Sequence, residues 1–219
     1  NVVGVIGGTG SGKSTLVNLM PRFYDVREGS VLINGRDVRD YKLKQLRDRI
    51  GYVPQRTVLF SGTIRDNMLW GNPGATDEDV WQALRTAQAE EFVSKLPEGL
   101  DTPVNQGGKN FSGGQRQRLT IARALVRRPE IVIMDDSASA LDFATDLKLR
   151  TAIRHDLTDT TAFIVSQRAT SVRHADLIIV LDGGVPVGMG RHDELMRTCD
   201  VYREIVHSQE DKEGQHDDK

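Results

Sequence analysis

A glycine-rich stretch near the start of the chain, GGTGSGKST at residues 7–15, has the residue types and spacing of a phosphate-binding loop. It matches G-x-x-x-x-G-K-[ST] from Gly7 to Ser14, between the apolar run VVGVI and the helix-like run LVNLM. Its glycines let backbone N–H groups converge at the positive end of the following helix, where Lys13 adds a charge for phosphates and the Ser14 hydroxyl can ligate Mg²⁺. The pattern predicts a nucleoside triphosphate site formed by Gly8, Thr9, Gly10, Ser11, Gly12, Lys13, Ser14 and Thr15.

A second stretch, IVIMDDSASALD at residues 131–142, carries four apolar residues directly into two aspartates. A carboxylate at the end of a buried strand can hold Mg²⁺ through water, which is the role we expect for Asp135. Asp136 is harder to interpret from residue types alone. It is a catalytic base, a poor substitute for one, or a bystander.

The elements that must position these residues follow from the hydrophobic pattern. Short apolar runs alternate with amphipathic stretches, which is typical of an α/β fold with a mostly parallel sheet covered by helices. Between Ile64 and Arg128 the strand pattern stops and helical periodicity takes over, indicating a second, mostly helical lobe. The predicted core strands are 2–6, 31–33, 50–53, 131–134, 162–165 and 177–181, with 185–187 as an edge.

Composition narrows the class of protein. The chain has 219 residues, 27% of them charged, and a net charge of −2, which argues against a protein that wraps nucleic acid. One cysteine, Cys199, excludes a disulfide framework and a thiolate zinc site and fits a reducing cytosol. No apolar run approaches the ~20 residues needed to cross a bilayer, and no signal peptide is evident. Because the chain opens on Asn1 inside an apolar run, we expect it to be a piece of something longer.

A third motif, NFSGGQRQR at residues 110–118, places a serine and two glycines before a helix and so predicts a second anion-binding helix N-terminus. It resembles the signature motif of ATP-binding cassette (ABC) proteins, and the resemblance extends over roughly residues 2–207 with the motifs in family order. It implies the ABC ATPase fold, a P-loop (RecA-like) core with an inserted helical subdomain. The expected parts are a nucleotide-binding domain over 1–207 lacking its N-terminal strands, with a core lobe of about 1–60 and 129–207, a helical lobe of about 61–128, and a disordered tail over 208–219.

The resemblance also implies roles for individual residues. Gln55, in YVPQ, looks like the Q-loop glutamine, which contacts Mg²⁺ together with Ser14 and Asp135 and senses the transmembrane partner. The segment 59–67 is similar to the one that follows the Q-loop in exporters. In this family two cassettes close head to tail around ATP and Mg²⁺, beside transmembrane domains at the cytoplasmic membrane face. The residues expected to serve the partner's ATP are Ser112, Gly113, Gly114 and Gln115, and the expected D-loop is Ser139, Ala140, Leu141 and Asp142.

Two residues depart from the family pattern. Hydrolysing cassettes usually carry glutamate at the position of Asp136, and losing one methylene withdraws the carboxylate by ~1.5 Å. A misplacement of roughly 1 Å can cost on the order of 10²-fold in rate. Gln167 stands where the family has a switch histidine at the γ-phosphate; its amide can donate a hydrogen bond but carries no titratable proton. With Asp136 and Gln167 as the catalytic candidates, we expect a degenerate site in a heterodimeric ABC exporter, whose intact signature completes the competent site of its partner.

Three other functions stay open. One is a homodimeric exporter ATPase in which Asp136 suffices. Another is an ABC ATPase of DNA repair, chromosome organisation or translation, which is disfavoured because Lys13 and Ser112 are separated by only 99 positions. The last is a binding module whose nucleotide is regulatory. The arginines of residues 116–128 could also suggest a nucleic-acid patch, but no aromatics interleave with them.

Overall fold

The computed structural model describes residues 1–136 and 140–214, which divide into two compact units. Unit 1 combines Asn1–Arg47 with the chain from Thr161 onward, and unit 2 is Asp48–Thr160. The strands are β1 Val2–Ile6, β2 Leu32–Ile33, β3 Arg36–Asp37, β4 Ile50–Val53, β5 Gly62–Thr63, β6 Pro103–Val104, β7 Ile131–Asp135, β8 Thr161–Ser166, β9 Leu177–Asp182 and β10 Val185–Gly190. The α-helices are α1 Lys13–Asn18, α2 Leu43–Asp48, α3 Ile64–Gly71, α4 Asp77–Thr86, α5 Glu90–Ser94, α6 Gly113–Leu125, α7 Phe143–Asp156, α8 Ala169–Val172, α9 His192–Thr198 and α10 Asp200–Gly214.

Unit 1 is built on a sheet in which β1 lies between β8 and β9, parallel to both, while β10 pairs antiparallel with β9. The central strand is apolar and its end is fully buried at Val5 and Ile6. Gly4 lets α8 approach closely, since a Cβ there would lie 2.7 Å from Cβ of Val172. Parallel strands on both sides bring the carboxyl ends of β1 and β8 to one edge, where ligands bind in open α/β sheets.

Unit 2 pairs β4 with β7 in parallel and packs helices against this pair and against each other. α6 is the central helix, contacting α3, α4 and β4. It can lie close to β4 because Gly51 has no side chain. A Cβ on Gly51 would be 2.6 Å from the Ala124 carbonyl oxygen. Ile64, Leu84 and Leu119 are fully buried, so this helical cluster has an apolar core of its own.

Helix α10 extends further than the sequence pattern suggests. It reaches Gly214 and so includes the first part of the segment 208–219 predicted as a disordered tail. Tyr202 and Val206 are buried on this helix, and Gln209 hydrogen-bonds to the backbone of Gln167 and Ala169 within the same unit.

All seven predicted strands occur: two have the predicted limits, four differ by one residue at one or both ends, and the edge strand predicted at 185–187 extends to Gly190. The prediction that strands are absent between Ile64 and Arg128 is wrong, because Pro103–Val104 pairs with Gly62–Thr63. A two-residue pairing has too short a hydrophobic pattern to be seen in sequence. Within the described residues, no helix combines the length and apolar character needed to span a membrane.

Candidate nucleotide-binding site

The phosphate loop of unit 1 leaves the end of β1 and enters α1 at Lys13. Gly7 is needed for close approach, because a Cβ there would lie 2.1 Å from the Leu181 carbonyl oxygen. Gly12, which caps α1, has φ 92°, a left-handed conformation that glycine adopts without steric cost. The loop is also tied to the β9–β10 turn by a hydrogen bond from the Gly184 N–H to the Ser11 carbonyl, at 3.2 Å. The backbone is therefore held in the curled form that phosphate binding requires.

Lys13 is 8% exposed, and its ammonium is held inside this loop. Its Nζ donates to the carbonyl oxygens of Gly7 at 2.8 Å and Gly8 at 2.7 Å, with the Ser11 hydroxyl at 3.5 Å. Burying a charge is costly unless its donors are satisfied, and these oxygens satisfy them. The positive charge of Lys13 therefore lies within the loop, while Gly8, Thr9 and Gly10 are exposed.

Gln167 comes into hydrogen-bonding contact with the phosphate loop although 158 positions separate it from Thr9. It follows directly after β8, whose residue Ser166 is level with Ile6 of β1. The Thr9 hydroxyl donates to Oε1 of Gln167 at 3.2 Å. Nε2, on the same carboxamide group, is the atom that could donate to a phosphate oxygen. The structure therefore places this predicted site residue beside the predicted loop.

Unit 2 holds the predicted acidic residues at the end of β7. Asp135 is 6% exposed and accepts a hydrogen bond from the Tyr52 hydroxyl at 3.3 Å. Asp136 is half-buried with φ 47°, and its Oδ2 accepts from Nε2 of Gln55 at 3.3 Å. The structure thus brings Gln55 and both aspartates together. Sequence reasoning missed Tyr52, whose signal was its position three residues before Gln55, the predicted Q-loop glutamine, on the strand that pairs with β7.

The residues predicted to ligate Mg²⁺ offer only oxygen atoms: a hydroxyl, a side-chain amide and a carboxylate. These are the donors that Mg²⁺ prefers, and such sites are commonly completed by substrate phosphates. No group of three or more His, Cys, Asp or Glu side chains arranged for a metal occurs in residues 1–136 and 140–210. The donor set therefore fits a nucleotide-borne Mg²⁺ better than an all-protein metal cage.

The signature residues begin α6 with a reciprocal capping arrangement. The Ser112 hydroxyl accepts from the Gln115 N–H at 3.2 Å, and the Gln115 Oε1 accepts from the Ser112 N–H at 2.8 Å. A Cβ on Gly114 would lie 3.4 Å from the Ala140 carbonyl oxygen, so the helix start is adjacent to the turn before α7. The predicted signature residues therefore have a fixed backbone at the N-terminus of a 13-residue helix.

The predicted D-loop is only partly described, since Ser139 lies outside the described residues. Ala140 is exposed, whereas Leu141 is buried. Asp142 caps α7, accepting hydrogen bonds from the Thr145 backbone N–H at 2.9 Å and from the Thr145 hydroxyl at 2.8 Å. These hydrogen bonds, the backbone one most of all, lower the pKa of the Asp142 carboxyl. Asp142 thus anchors the helix, and its D-loop role stays a prediction.

The arginines of residues 116–128 are hydrogen-bonded within unit 2. They include Arg123, whose guanidinium lies 5.1 Å from the Phe60 ring centre and whose pKa is lowered by burial. Their acceptors are the carbonyls of Phe111, Gln88, Gly114, Val58 and Gly71 and the carboxylates of Asp48 and Asp79. Donors directed at the fold are poorly placed to follow a phosphate backbone.

Comparison with known proteins decides the family. Residues 1–139 match the family model described as ABC transporter. The chain belongs to the ABC transporter family. It is the ATP-binding, ATPase domain of such a transporter, as the sequence motifs predicted.

Relatives and a solved structure agree with this assignment. The chain is 50% identical over 208 residues to an uncharacterized ABC transporter ATP-binding protein of Mycobacterium bovis, covering 94% of this chain and 35% of the relative. It is 43% identical over 203 residues to YgaD of Bacillus subtilis, whose name includes "multidrug export ATP-binding/permease protein", covering 93% and 35%. The structure of a bacterial Atm1-family ABC exporter with ATP bound matches with a TM-score of 0.91 and 38% identity, covering 95% of this chain and 37% of that one. The ABC ATPase fold is thereby confirmed, and this ABC transporter chain spans about a third of these proteins' length.

Proposed function

We propose that this chain is the cytoplasmic nucleotide-binding domain of an ABC exporter and binds Mg-ATP at the Lys13 loop. The observation that carries the proposal is the buried Lys13 ammonium held on the loop carbonyls of Gly7 and Gly8. Incoming β- and γ-phosphate oxygens would attract this ammonium while the exposed backbone N–H groups bind the same anion. The matched exporter structure has ATP bound, and its similarity over 95% of this chain supports the same ligand here.

We assign the roles around the nucleotide as follows. Ser14, Gln55 and Asp135 would hold Mg²⁺, which when bound neutralises charge developing on the phosphates. Asp135 is oriented by the Tyr52 hydroxyl. Gln167 donates its amide hydrogens to the γ-phosphate, with its carbonyl end held by Thr9. These side chains bind and orient the substrate.

Asp136 is proposed as a general base that is too short to work well. A base must come within ~2.6–3.2 Å of the water it deprotonates, directly or through one further water. Its carboxylate is within hydrogen-bonding reach of Gln55, and a side chain one methylene shorter than glutamate withdraws from the nucleotide. The nucleotide site at Lys13 should bind ATP and hydrolyse it slowly.

The intact signature supports a heterodimer with a second, competent cassette. Ser112, Gly113, Gly114 and Gln115 would bind the partner's ATP at the start of α6, where the capping arrangement fixes the backbone. Of the predicted D-loop residues, the exposed Ala140 would face the partner. ATP hydrolysis at the partner's phosphate loop would then drive export at normal rates.

An exposed aromatic groove in unit 2 fits the transmembrane partner. The cavity, about 280 Å³, is lined by Phe60, Trp70 and Arg123. Trp70 is 67% exposed and its ring centre lies 5.0 Å from that of Phe60. Among the residues that the structure describes, the buried Nη1 of Arg123 has no hydrogen-bond partner, although Nη2 of the same guanidinium donates to the Val58 carbonyl oxygen. We propose that a cytoplasmic segment of the transmembrane domains binds here.

The test uses the full-length transporter purified with its candidate partner. Asp136→Ala should reduce steady-state ATPase activity mildly, whereas alanine at the partner's corresponding carboxylate should nearly abolish it. Equal losses would contradict the asymmetric proposal. The retained carboxylate of Asp136 favours the homodimeric exporter as second candidate, and steady ATPase activity of the purified homodimer, abolished by Asp136→Asn, would establish it.

A further inference from the structure

The side chain of Gln209 bridges two backbone groups of the turn that carries Gln167. Its Nε2 donates to the Gln167 carbonyl oxygen at 2.8 Å, and its Oε1 accepts from the Ala169 N–H at 2.8 Å. The Ala169 N–H belongs to the first residue of α8, where helical N–H groups have no partner inside the helix. Gln209 therefore caps α8 from another helix and fixes the turn at the same time.

Helix α10 is anchored in unit 1 on the face that presents Gln209. Tyr202, Val206 and Gln209 follow the i, i+4, i+7 spacing of one helix face, and the first two are buried. The Tyr202 hydroxyl lies 2.9 Å from Nδ1 of His192 on α9, which adds a polar tie to the apolar packing. The side of α10 that carries Gln209 therefore packs against the rest of unit 1, including α8 and α9.

We propose that Gln209 is a positioning residue that holds the Gln167 side chain toward the phosphate loop, an inference that rests on the proposed role of Gln167 at the γ-phosphate. The hydrogen-bonded path is continuous: Gln209 holds the backbone of Gln167, and the side chain of Gln167 contacts the Thr9 hydroxyl. Through this path α10 supports the part of the site that distinguishes ATP from ADP.

The chemistry of the bridge requires an amide. A glutamate at 209 would keep the acceptor for the Ala169 N–H but would lose the donor and place a charge against the Gln167 carbonyl. A methionine would fill the same volume and lose both hydrogen bonds. Gln209→Met is therefore the informative change, and Glu204→Met, at an exposed position of the same helix, is its matched control.

The experiment measures binding of a non-hydrolysable ATP analogue and of ADP, each with Mg²⁺, to the full-length transporter. Removing two neutral hydrogen bonds that position one phosphate donor should weaken analogue binding about threefold to tenfold. ADP binding should be nearly unchanged, because ADP has no γ-phosphate. Gln209→Glu, which places a charge against the Gln167 carbonyl, should weaken analogue binding at least as much as Gln209→Met, and Glu204→Met should behave as the wild type.

A double variant separates positioning from general stability. If Gln209 acts through Gln167, the pair Gln167→Ala and Gln209→Met should bind the analogue no more weakly than Gln167→Ala alone. Hydrogen exchange at the Ala169 amide should accelerate in Gln209→Met, with unchanged circular dichroism. Equal weakening of both nucleotides, or additive losses, would overturn the inference while leaving the role of Gln167 intact. An unchanged ATP-to-ADP preference in Gln167→Ala would instead overturn the γ-phosphate role and the inference with it.

Discussion

Replacing Asp136 by glutamate tests the reach of the carboxylate directly. The change adds one methylene and advances the carboxylate by ~1.5 Å. If the present side chain falls short by roughly 1 Å, its misplacement costs on the order of 10²-fold. We expect Asp136→Glu to cleave ATP about 10- to 100-fold faster at the site of this chain. The hydrogen bond from Gln55 is 3.3 Å long, so little is lost if it breaks.

The same substitution should lower stability, because the backbone at Asp136 has φ 47°. Aspartate tolerates this left-handed region better than longer side chains do, since its short polar group can hydrogen-bond locally. A difference of about 1 kcal/mol would lower Tm by roughly 2–4 °C in a chain of this size. Faster cleavage in a slightly less stable protein is therefore the combined expectation.

The assay is single-turnover cleavage of Mg-ATP, measured by quench-flow. It uses a transporter in which the catalytic carboxylate residue of the partner subunit is replaced by alanine, so that only the site of this chain reacts. Asp136→Gln supplies the length of glutamate without the charge and should stay slow. Asp136→Asn keeps the original length and should be slower than the wild type. The reasoning is refuted if Asp136→Glu matches the wild type within about twofold while still binding ATP, or if Asp136→Gln is as fast as Asp136→Glu.

Three further changes test packing, the signature and the groove. Gly51→Ala should lower the free energy of unfolding by about 1–3 kcal/mol and lower Tm, because the added Cβ would lie 2.6 Å from a carbonyl oxygen of α6. The control Gly74→Ala should leave Tm unchanged, because its Cβ would have no neighbour nearer than 3.7 Å. Ser112→Ala should remove a helix cap and sharply reduce ATPase activity of the assembled transporter; reduced ATP binding at Lys13 would contradict the assignment of Ser112 to the partner's site. Trp70→Ala should uncouple ATPase activity from transported substrate at unchanged nucleotide affinity, and normal coupling would exclude the groove as the docking site.

Local motifs explain how much could be predicted. The phosphate loop could be predicted because its glycines are required by the local backbone geometry. Gly12 has a positive φ, and Gly7 passes close to Leu181. The strands before Lys13 and Asp135 are readable because buried parallel strands are short continuous apolar runs. The serine that begins α6 was likewise recognisable as a cap. In each case the physical cause lies within a few residues of its signal.

Contacts between residues far apart in the sequence could not be predicted from the sequence. The Tyr52 hydroxyl meets Asp135 because β4 pairs with β7, and this pairing is a property of the sheet. The late turns of α10 look polar and aperiodic in sequence, yet Gln209 orders them through two hydrogen bonds to a turn 40 and 42 positions away. A polar side chain is indistinguishable from a solvated one until its partner is known.

The sequence by itself determined which chemical groups this chain offers to a nucleotide: a lysine in a glycine loop, two adjacent aspartates after an apolar run, and a glutamine after another. Tertiary structure alone decided which of these groups meet, as when Thr9 contacts Gln167. The reason is physical. Loop conformation and strand burial depend on neighbouring φ/ψ angles and apolar runs, whereas a hydrogen bond between remote side chains exists only after the sheet has brought their strands side by side.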